Sequence, residues 1–195
     1  LRPASYQLVP LLKLLHNKLN VILISDGVGV GKTISAGYIL LFLISKYNQP
    51  GLVVCPPSLL LKWKEEIETK FGMRTFTVTG KEEFATMEEE ILANVKRRVG
   101  TVYILPSSML DRFKLSKNTR FSVIVFDEIH NFRNKDTYGF VAAKKVAAHS
   151  TYKVGLTATP INNSLEDLVS ILSILLADSS WEAVSIMLDD LWAHQ

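Results

Sequence analysis

The stretch VILISDGVGVGKT, residues 21–33, decides the fold of this chain of 195 residues. A short apolar run leads into three glycines, and residues 32–47 then have the length and apolar character of a helix. Glycines allow the backbone to turn tightly and to direct its N–H groups into the turn, where the start of a helix adds a favourable dipole for an anion. The stretch therefore predicts a strand, a phosphate-binding loop and a helix.

The last residues of this loop indicate which phosphate compound it binds. Lys32 can reach the β- and γ-phosphates of a nucleoside triphosphate, and the Thr33 hydroxyl can contact Mg²⁺. The alternative is a glycine-rich turn without a ligand, but such a turn does not need the lysine and the threonine together. The general pattern has glycine in its first position, where this chain has Asp26. We predict that ATP and Mg²⁺ bind here, and the other loop residues of this site are Asp26, Gly27, Val28, Gly29, Val30 and Gly31.

Short apolar runs alternate with longer helical stretches from residue 21 onward. This order predicts an α/β fold with a central, mainly parallel sheet and helices on both faces. The predicted strands are residues 21–25, 52–55, 75–78, 101–105, 123–126 and 153–156. The predicted helices are residues 32–47, 58–71, 81–98, 107–112, 138–149 and 164–176. We expect Ser58 and Ser164 to be helix N-caps and Gly72 to end a helix.

The composition is that of an ordinary folded domain. Hydrophobic residues make up 48% and charged residues 21%, and the formal net charge is +3. This mild positive charge permits contact with nucleic acid without requiring it. The longest apolar runs are shorter than the roughly 18 residues that span a bilayer, so we expect no membrane partner. A single cysteine, Cys55, excludes an internal disulfide.

A second apolar strand runs into two carboxylates, Asp127 and Glu128, and then into His130. Open α/β sheets bind ligands at the carboxyl ends of their strands, so Asp127 is expected beside Thr33. There Asp127 would hold Mg²⁺, and Glu128 would orient and deprotonate the attacking water. The alternative is a solvated acidic turn. His130 by itself is more typical of a structural histidine.

A third strand ends in a small hydroxyl motif, Thr157-Ala158-Thr159. Two small hydroxyl residues around an alanine suit a tight strand end whose side chains hydrogen-bond to their neighbours. In isolation this pattern predicts only a turn.

Taken together, these blocks resemble the first motor lobe of superfamily-two helicases, and most closely its Swi/Snf branch, which includes the bacterial HepA-like proteins. In that branch the phosphate loop begins with aspartate and ends Gly-x-Gly-Lys-Thr, as residues 26–33 do, although Gly27 stands where relatives have glutamate. Residues 127–130 are similar to the Asp-Glu-x-His box of the family, and residues 156–161 to its coupling motif. The resemblance covers residues 1–176 and implies a three-layer RecA-like fold.

The resemblance also implies roles for individual residues. Those that it assigns to catalysis are Lys32, Asp127, Glu128 and His130. Thr157 and Thr159 would couple the nucleotide pocket to the DNA-facing side. Gln7, between a tyrosine and a leucine, resembles the glutamine that reads the adenine edge, although relatives place proline directly before the tyrosine and Pro3 stands two residues further back. The alternative for Gln7 is an exposed helix glutamine.

Contacts with a nucleic-acid track are expected at two further strand ends. Residues 53–60 with Trp63 resemble the family motif in which a strand end and a helix start touch a DNA strand. A sliding motor must hold the phosphate backbone without reading bases, and hydroxyls and helix N-termini suit that task. We therefore expect phosphate contacts from Ser58, Lys62 and Ser107, with double-stranded DNA as the partner.

The expected domains are an ATP-binding lobe, residues 1–176, and a helical tail, residues 177–195, that leads toward a second RecA-like lobe not contained in this chain. In such motors the second lobe supplies arginine fingers, so we expect the isolated lobe to be monomeric and nearly inactive. Two alternatives stay open, namely an RNA helicase or restriction-type translocase lobe and a nucleotide-gated interaction module. The expected location is the cytoplasm, with the nucleoid, in a prokaryote and the nucleus in a eukaryote.

Overall fold

The computed structural model describes residues 4–25, 31–92, 100–112, 114–158 and 165–176. Within these ranges the chain forms six α-helices, six strands and three 3₁₀ turns. None of the helices in these ranges is long and apolar enough to cross a lipid bilayer.

The elements follow one another in the alternating order that the sequence predicts. The helices are α1 (Ser5–His16), α2 (Lys32–Tyr47), α3 (Leu60–Phe71), α4 (Lys81–Leu92), α5 (Tyr138–Ala147) and α6 (Leu165–Leu175). The strands are β1 (Val21–Ile24), β2 (Gly51–Cys55), β3 (Arg74–Thr77), β4 (Thr101–Pro106), β5 (Val123–Phe126) and β6 (Tyr152–Leu156). The 3₁₀ turns are Pro57–Leu59, Ser107–Met109 and Ile129–Phe132.

The six strands form one sheet in the order β1-β6-β5-β2-β4-β3. Each neighbouring pair is parallel, and Val54 of β2 lies opposite Phe126 of β5 and Leu105 of β4. Because the strands are parallel, their carboxyl ends meet at one edge of the sheet, which we call the carboxyl edge. The predicted α/β fold is confirmed, with a sheet that is parallel throughout the described residues.

Apolar side chains cover both faces of the sheet. Successive strand residues point to opposite faces. Val53 and Val125 join the core under α1, α2 and α3, whereas Leu52 and Phe126 join the core under α4, α5 and α6. Strands buried on both faces read as continuous apolar runs, which is why these strands do not alternate in polarity.

Helices α2 and α3 approach each other closely at Gly37. A Cβ atom at this position would lie 2.2 Å from Cε2 of Phe71, closer than any contact that real Cβ atoms make. The Phe71 ring in turn packs edge-on against Tyr38, with their ring centroids 5.2 Å apart. Glycine is therefore the residue that lets α3 pack at this distance from α2.

The predicted strands agree with the structure to within one residue at each end, and the predicted helix 32–47 has the bounds of α2. Gly72 ends α3 as predicted, with a left-handed φ of 64°. The predicted helix 81–98 is seen as α4 up to Leu92, beyond which residues 93–99 lie outside the described ranges. Ser164, the other predicted N-cap, also lies outside them.

Two predictions about helices were wrong, and one helix was not predicted. Ser58 does not cap α3, because Pro57 begins a 3₁₀ turn in which the Leu59 N–H donates to the Pro56 carbonyl, and α3 starts only at Leu60. The predicted helix 107–112 is instead a 3₁₀ turn over Ser107–Met109, in which the Leu110 N–H donates to the Ser107 carbonyl. Helix α1 was not among the predicted helices, and it contains a proline, Pro10.

Candidate active site

The residues that were predicted to bind ATP, where the structure describes them, lie at the carboxyl edge of the sheet. Lys32 and Thr33 open α2, which follows β1, and Thr157 directly follows β6. Asp127 directly follows β5, and β1, β6 and β5 are consecutive neighbours in the sheet. The order of the strands therefore brings the end of the phosphate loop and the acidic box to the same side of the molecule. Six of the predicted site residues lie outside the described ranges, namely Asp26, Gly27, Val28, Gly29, Val30 and Thr159.

Gly31 is the residue at which the phosphate loop passes into α2. Its φ of 86° is left-handed, a conformation that glycine adopts without steric cost. A Cβ atom here would also lie 2.6 Å from Nε2 of Gln7. The start of α2 directs its N–H groups and the positive end of its dipole toward the carboxyl edge, which is a favourable arrangement for an anion.

Gln7 lies against this end of the phosphate loop. It belongs to α1, and its Oε1 accepts a hydrogen bond of 3.1 Å from the N–H of Ala4, one turn earlier. Its Nε2 lies against Gly31, as the close approach of a Cβ atom shows. The Gln7 side-chain amide thus accepts a hydrogen bond from a backbone N–H at the start of α1 and lies next to Gly31. Its contact with adenine stays a prediction.

Asp127 is a buried carboxylate held by two hydrogen bonds. It is 7% exposed, and its backbone N–H donates to the Val54 carbonyl at 2.8 Å, which extends the ladder between β5 and β2. Its Oδ2 accepts a hydrogen bond of 2.7 Å from Nε1 of Trp63, and its Oδ1 accepts one of 3.0 Å from the N–H of Glu128. The carboxylate therefore has a fixed orientation.

Burial raises the pKa of the Asp127 carboxyl above its ordinary value. The hydrogen bond from Trp63 lowers this pKa and the charge of Glu128 raises it, while the charge of Lys32 makes a smaller lowering contribution. The neighbouring Cys55 thiol is also buried, and burial together with the Asp127 charge raises the pKa of that thiol to about 12. Loss of hydration dominates here, as expected for a charge placed beside apolar groups without a fully compensating cation.

Glu128, His130 and Thr157 form a connected group beside Asp127. Glu128 adopts a left-handed conformation, with φ 50° and ψ 48°, and begins the 3₁₀ turn that carries His130. Nδ1 of His130 lies 3.2 Å from Oε2 of Glu128 and 3.0 Å from Oγ1 of Thr157. Thr157 is fully buried, and its N–H donates to the Ile24 carbonyl at the end of β1. His130 thus links the acidic box to the strand end that follows β6.

The 3₁₀ turn that carries His130 is also joined to α6. Nη1 of Arg133 donates to the His130 carbonyl at 3.1 Å, and its Nε lies 3.6 Å from Oδ1 of Asp167. A cavity of about 830 Å³ opens beside this ion pair, and Lys135 and Glu166 also line it. The pair was not predicted, since the sequence gives no sign that the 3₁₀ turn and α6 are adjacent.

The predicted DNA contacts lie at the same edge but on other strands. Ser58 follows β2 and Ser107 follows β4, and these two strands are neighbours. Ser58 and Lys62 are exposed, and Ser107 is half-buried. The exposed side chains are accessible to a partner, and they lie on the other side of β5 from β1 and the phosphate loop.

Comparison with known proteins gives the family. The sequence matches the family described as SNF2-related domain over residues 7–187, which is most of the chain. The chain belongs to the SNF2 family. The predicted Swi/Snf resemblance is thereby confirmed, whereas the closer likeness to HepA-like proteins stays a prediction.

Two relatives and one solved structure show how far this SNF2-related domain extends. The chain is 32% identical over 167 residues to mouse Chromodomain-helicase-DNA-binding protein 1-like and 34% identical over 170 residues to an uncharacterized ATP-dependent helicase of Mycoplasma pneumoniae. These matches cover 82% and 83% of this chain but only 18% and 15% of the relatives. The fold matches the Sulfolobus solfataricus SWI2/SNF2 ATPase core in complex with dsDNA with a TM-score of 0.71 and 26% identity, over 91% of this chain and 36% of that one.

The donor set of this SNF2-related domain fits the predicted metal. A carboxylate oxygen of Asp127 and the hydroxyl of Thr33 are hard oxygen ligands on one edge of the sheet. Mg²⁺ is usually held by one or two carboxylates together with substrate phosphates and waters, not by a cage of protein groups. The described residues contain no group of three or more His, Cys, Asp or Glu side chains that could hold a metal alone.

A further contact that was not predicted from the sequence is the hydrogen bond from Trp63 to Asp127. We expected Trp63 only within the motif that touches DNA, yet it is 1% exposed and donates to the acidic box. One signal was present, since a buried tryptophan usually finds an acceptor for its N–H. Which acceptor it finds depends on how α3 packs on the sheet.

Proposed function

We propose that this chain is the ATP-binding lobe of a motor that hydrolyses ATP and uses the energy to move along double-stranded DNA or to remodel protein–DNA complexes. The observation that carries the proposal is the carboxyl edge, where Lys32 at the start of α2 and the buried carboxylate of Asp127 after β5 lie at the same edge of one parallel sheet. Membership of the SNF2 family supports the same reading. Phosphate transfer to water needs both a phosphate cradle and a carboxylate of this kind.

Each residue of the site has a chemical task in this scheme. The start of α2 and the Lys32 ammonium bind the phosphates of ATP, and Thr33 and Asp127 would hold Mg²⁺. Mg²⁺ held there would supply positive charge that stabilises the negative charge on the phosphates during transfer. Glu128 orients the attacking water and takes its proton. The contacts of His130 with Glu128 and Thr157 hold Glu128 in place and connect it to the end of β6.

The proposed contact with DNA depends on the part of the carboxyl edge formed by the ends of β2 and β4. The exposed Ser58 and Lys62 and the half-buried Ser107 lie at the ends of β2 and β4, where they can contact phosphates. The SWI2/SNF2 core with a similar fold was solved in complex with dsDNA, which supports the choice of track. Thr157 and Thr159 would transmit changes at the nucleotide toward this side.

The deciding experiment measures steady-state ATP hydrolysis by the complete protein with and without duplex DNA. We expect hydrolysis that duplex DNA stimulates and that Lys32→Ala abolishes together with ATP binding. Lys46→Ala is the matched control, because Lys46 is an exposed lysine on the same helix at its far end. Hydrolysis that duplex DNA leaves unchanged would instead favour a nucleotide-gated interaction module. Stimulation by RNA alone would favour an RNA helicase.

A further inference from the structure

Trp63 is the one aromatic residue that the described structure places in hydrogen-bond contact with the acidic box. It lies on α3, 64 positions before Asp127 in the sequence, and its side chain is almost fully buried. Its Nε1 lies 2.7 Å from Oδ2 of Asp127, which is within the short range of hydrogen bonds to a charged acceptor. An indole has a single polar atom and can only donate, so the direction of this bond is not in doubt.

The two oxygens of Asp127 are held by donors from different elements. Oδ2 is held by α3 through Trp63, and Oδ1 by the backbone of the box itself through the N–H of Glu128. One donor alone would leave the carboxylate free to rotate about its Cβ–Cγ bond. Two donors on opposite oxygens fix both the rotamer and the plane of the carboxylate.

We propose that Trp63 is the positioning residue for Asp127, and that its indole sets the orientation in which this carboxylate holds Mg²⁺ with ATP. The inference rests on the proposed function, since it concerns the same site. Partners that hydrogen-bond to a metal-binding carboxylate govern metal affinity through its orientation and basicity. Trp63 therefore acts through Asp127 and does not touch the nucleotide.

A packing role alone is the competing explanation. Trp63 belongs to the core cluster on the α1, α2 and α3 face of the sheet, and Ile67, one turn further along α3, is fully buried in the same cluster. If Trp63 only filled space, removal of its N–H without change of shape would have no effect on the metal. The two explanations thus differ in what the N–H does.

The hydrogen bond itself is tested by nuclear magnetic resonance on the 195-residue chain without nucleotide. The indole N–H signal of Trp63 is identified by its loss in Trp63→Phe. We expect this proton to be protected from exchange with solvent, and expect Asp127→Ala to shift its signal and to remove the protection. An indole signal with the same shift and exchange rate in Asp127→Ala would overturn the inference.

The positioning role is tested by calorimetric titration of ATP at a series of Mg²⁺ concentrations. In Trp63→Phe, and when Trp63 is replaced by benzothienylalanine, which keeps the ring shape and lacks the N–H, we expect the Mg²⁺ concentration for half-maximal tightening of ATP binding to rise about 10-fold. ATP affinity without Mg²⁺ should not change. Ile67→Ala is the control, because it opens a hole in the same core and removes no hydrogen bond.

The outcomes separate this inference from the proposed function. If both Trp63 variants keep the wild-type dependence on Mg²⁺, Trp63 is a packing residue and the inference fails while the proposed function stands. If Ile67→Ala shows the same rise as the Trp63 variants, packing explains the effect and the inference also fails. A wild-type chain that binds ATP no more tightly with Mg²⁺ than without it would contradict the proposed function as well.

Discussion

Asp127 is a buried carboxylate, and its neighbours determine how far its pKa departs from the ordinary value. The apolar surroundings raise its pKa, and the Trp63 indole offsets part of that effect by donating to the ionised form. A bound cation would offset the rest, because it favours the ionised carboxylate directly. Ionisation of Asp127 is therefore expected to cost folding stability, and a bound cation would reduce that cost.

Replacement of Asp127 by asparagine should stabilise the chain at neutral pH. The folded-state pKa of Asp127 lies above its unfolded value, so ionisation disfavours the fold, and this penalty grows as pH rises through the folded-state pKa. Below the ordinary Asp pKa of about 3.9 the carboxyl is protonated in both states and the penalty is absent. We therefore expect a higher Tm for Asp127→Asn at neutral pH, and a difference that shrinks on acidification.

Thermal denaturation over a pH series checks this expectation. Asp111→Asn serves as the control, because Asp111 is an exposed carboxylate in a turn. A lower Tm of Asp127→Asn at every pH would mean that the hydrogen bonds of the carboxylate outweigh its loss of hydration.

Helix α3 connects several parts of the molecule. It begins after the exposed 3₁₀ turn that carries Ser58, packs against α2 at Gly37 and carries Trp63 to the acidic box. Its place on the sheet therefore affects the predicted DNA contact and the predicted metal ligand together. The close approach at Gly37 fixes that place.

Gly37→Ala should lower the free energy of unfolding by about 1–3 kcal/mol. The added Cβ would lie 2.2 Å from the Phe71 ring, so the ring or the whole of α3 must move. Alanine gains about 1 kcal/mol of helix propensity over glycine, and we expect the overpacking to exceed that gain. Urea denaturation measures the change, and a second substitution, Phe71→Leu, should recover part of it. A Gly37→Ala chain more stable than wild type would show that α3 is loosely placed.

Ser58→Asp in the complete protein should weaken binding to duplex DNA and leave ATP binding unchanged. Ser58 is exposed at the carboxyl edge, and a negative charge there would repel the phosphate backbone. Ser45→Asp is the matched control, since Ser45 is an exposed serine near the far end of α2. Fluorescence anisotropy with a labelled DNA duplex at low salt measures the DNA affinity of both variants. Equal DNA affinity of the two variants would remove Ser58 from the interface.

The whole molecule divides its carboxyl edge into two parts. The ends of β1, β6 and β5 carry the residues predicted for ATP, and the ends of β2 and β4 carry those predicted for DNA. Both parts lie on one parallel sheet and are joined by β5, which pairs with β6 on one side and with β2 on the other. The chain spans less than a fifth of the curated relatives described above. The motor activity is therefore part of our proposal and is not a property that the comparisons show for this chain.

The 195-residue chain should hydrolyse ATP far more slowly than the complete protein. We propose that a second RecA-like lobe supplies the arginine fingers, and such a residue raises turnover by about 10³- to 10⁵-fold in related phosphate chemistry. Single-turnover experiments with both proteins at saturating ATP measure the ratio of their hydrolysis rates. ATP binding is measured separately for each protein. Equal rates would place the complete catalytic set within this chain.

Features that depend on neighbours in the sequence were predictable from the sequence alone. The strand ends, the extent of α2 and the helix stop at Gly72 follow from local runs of apolar residues, glycine and the start of the phosphate loop. The acidic box was predicted for the same reason, since its residues are contiguous and directly follow an apolar strand.

Tertiary structure decided the contacts between distant segments. The hydrogen bond from Trp63 to Asp127 joins residues 64 positions apart, and that from His130 to Thr157 joins residues 27 positions apart. Neither separation follows from a helical or strand period, because it depends on the order of the strands in the sheet and on the packing of α3. The sequence by itself determined which chemical groups this protein has, and the packing of helices on a parallel sheet decided which of them meet.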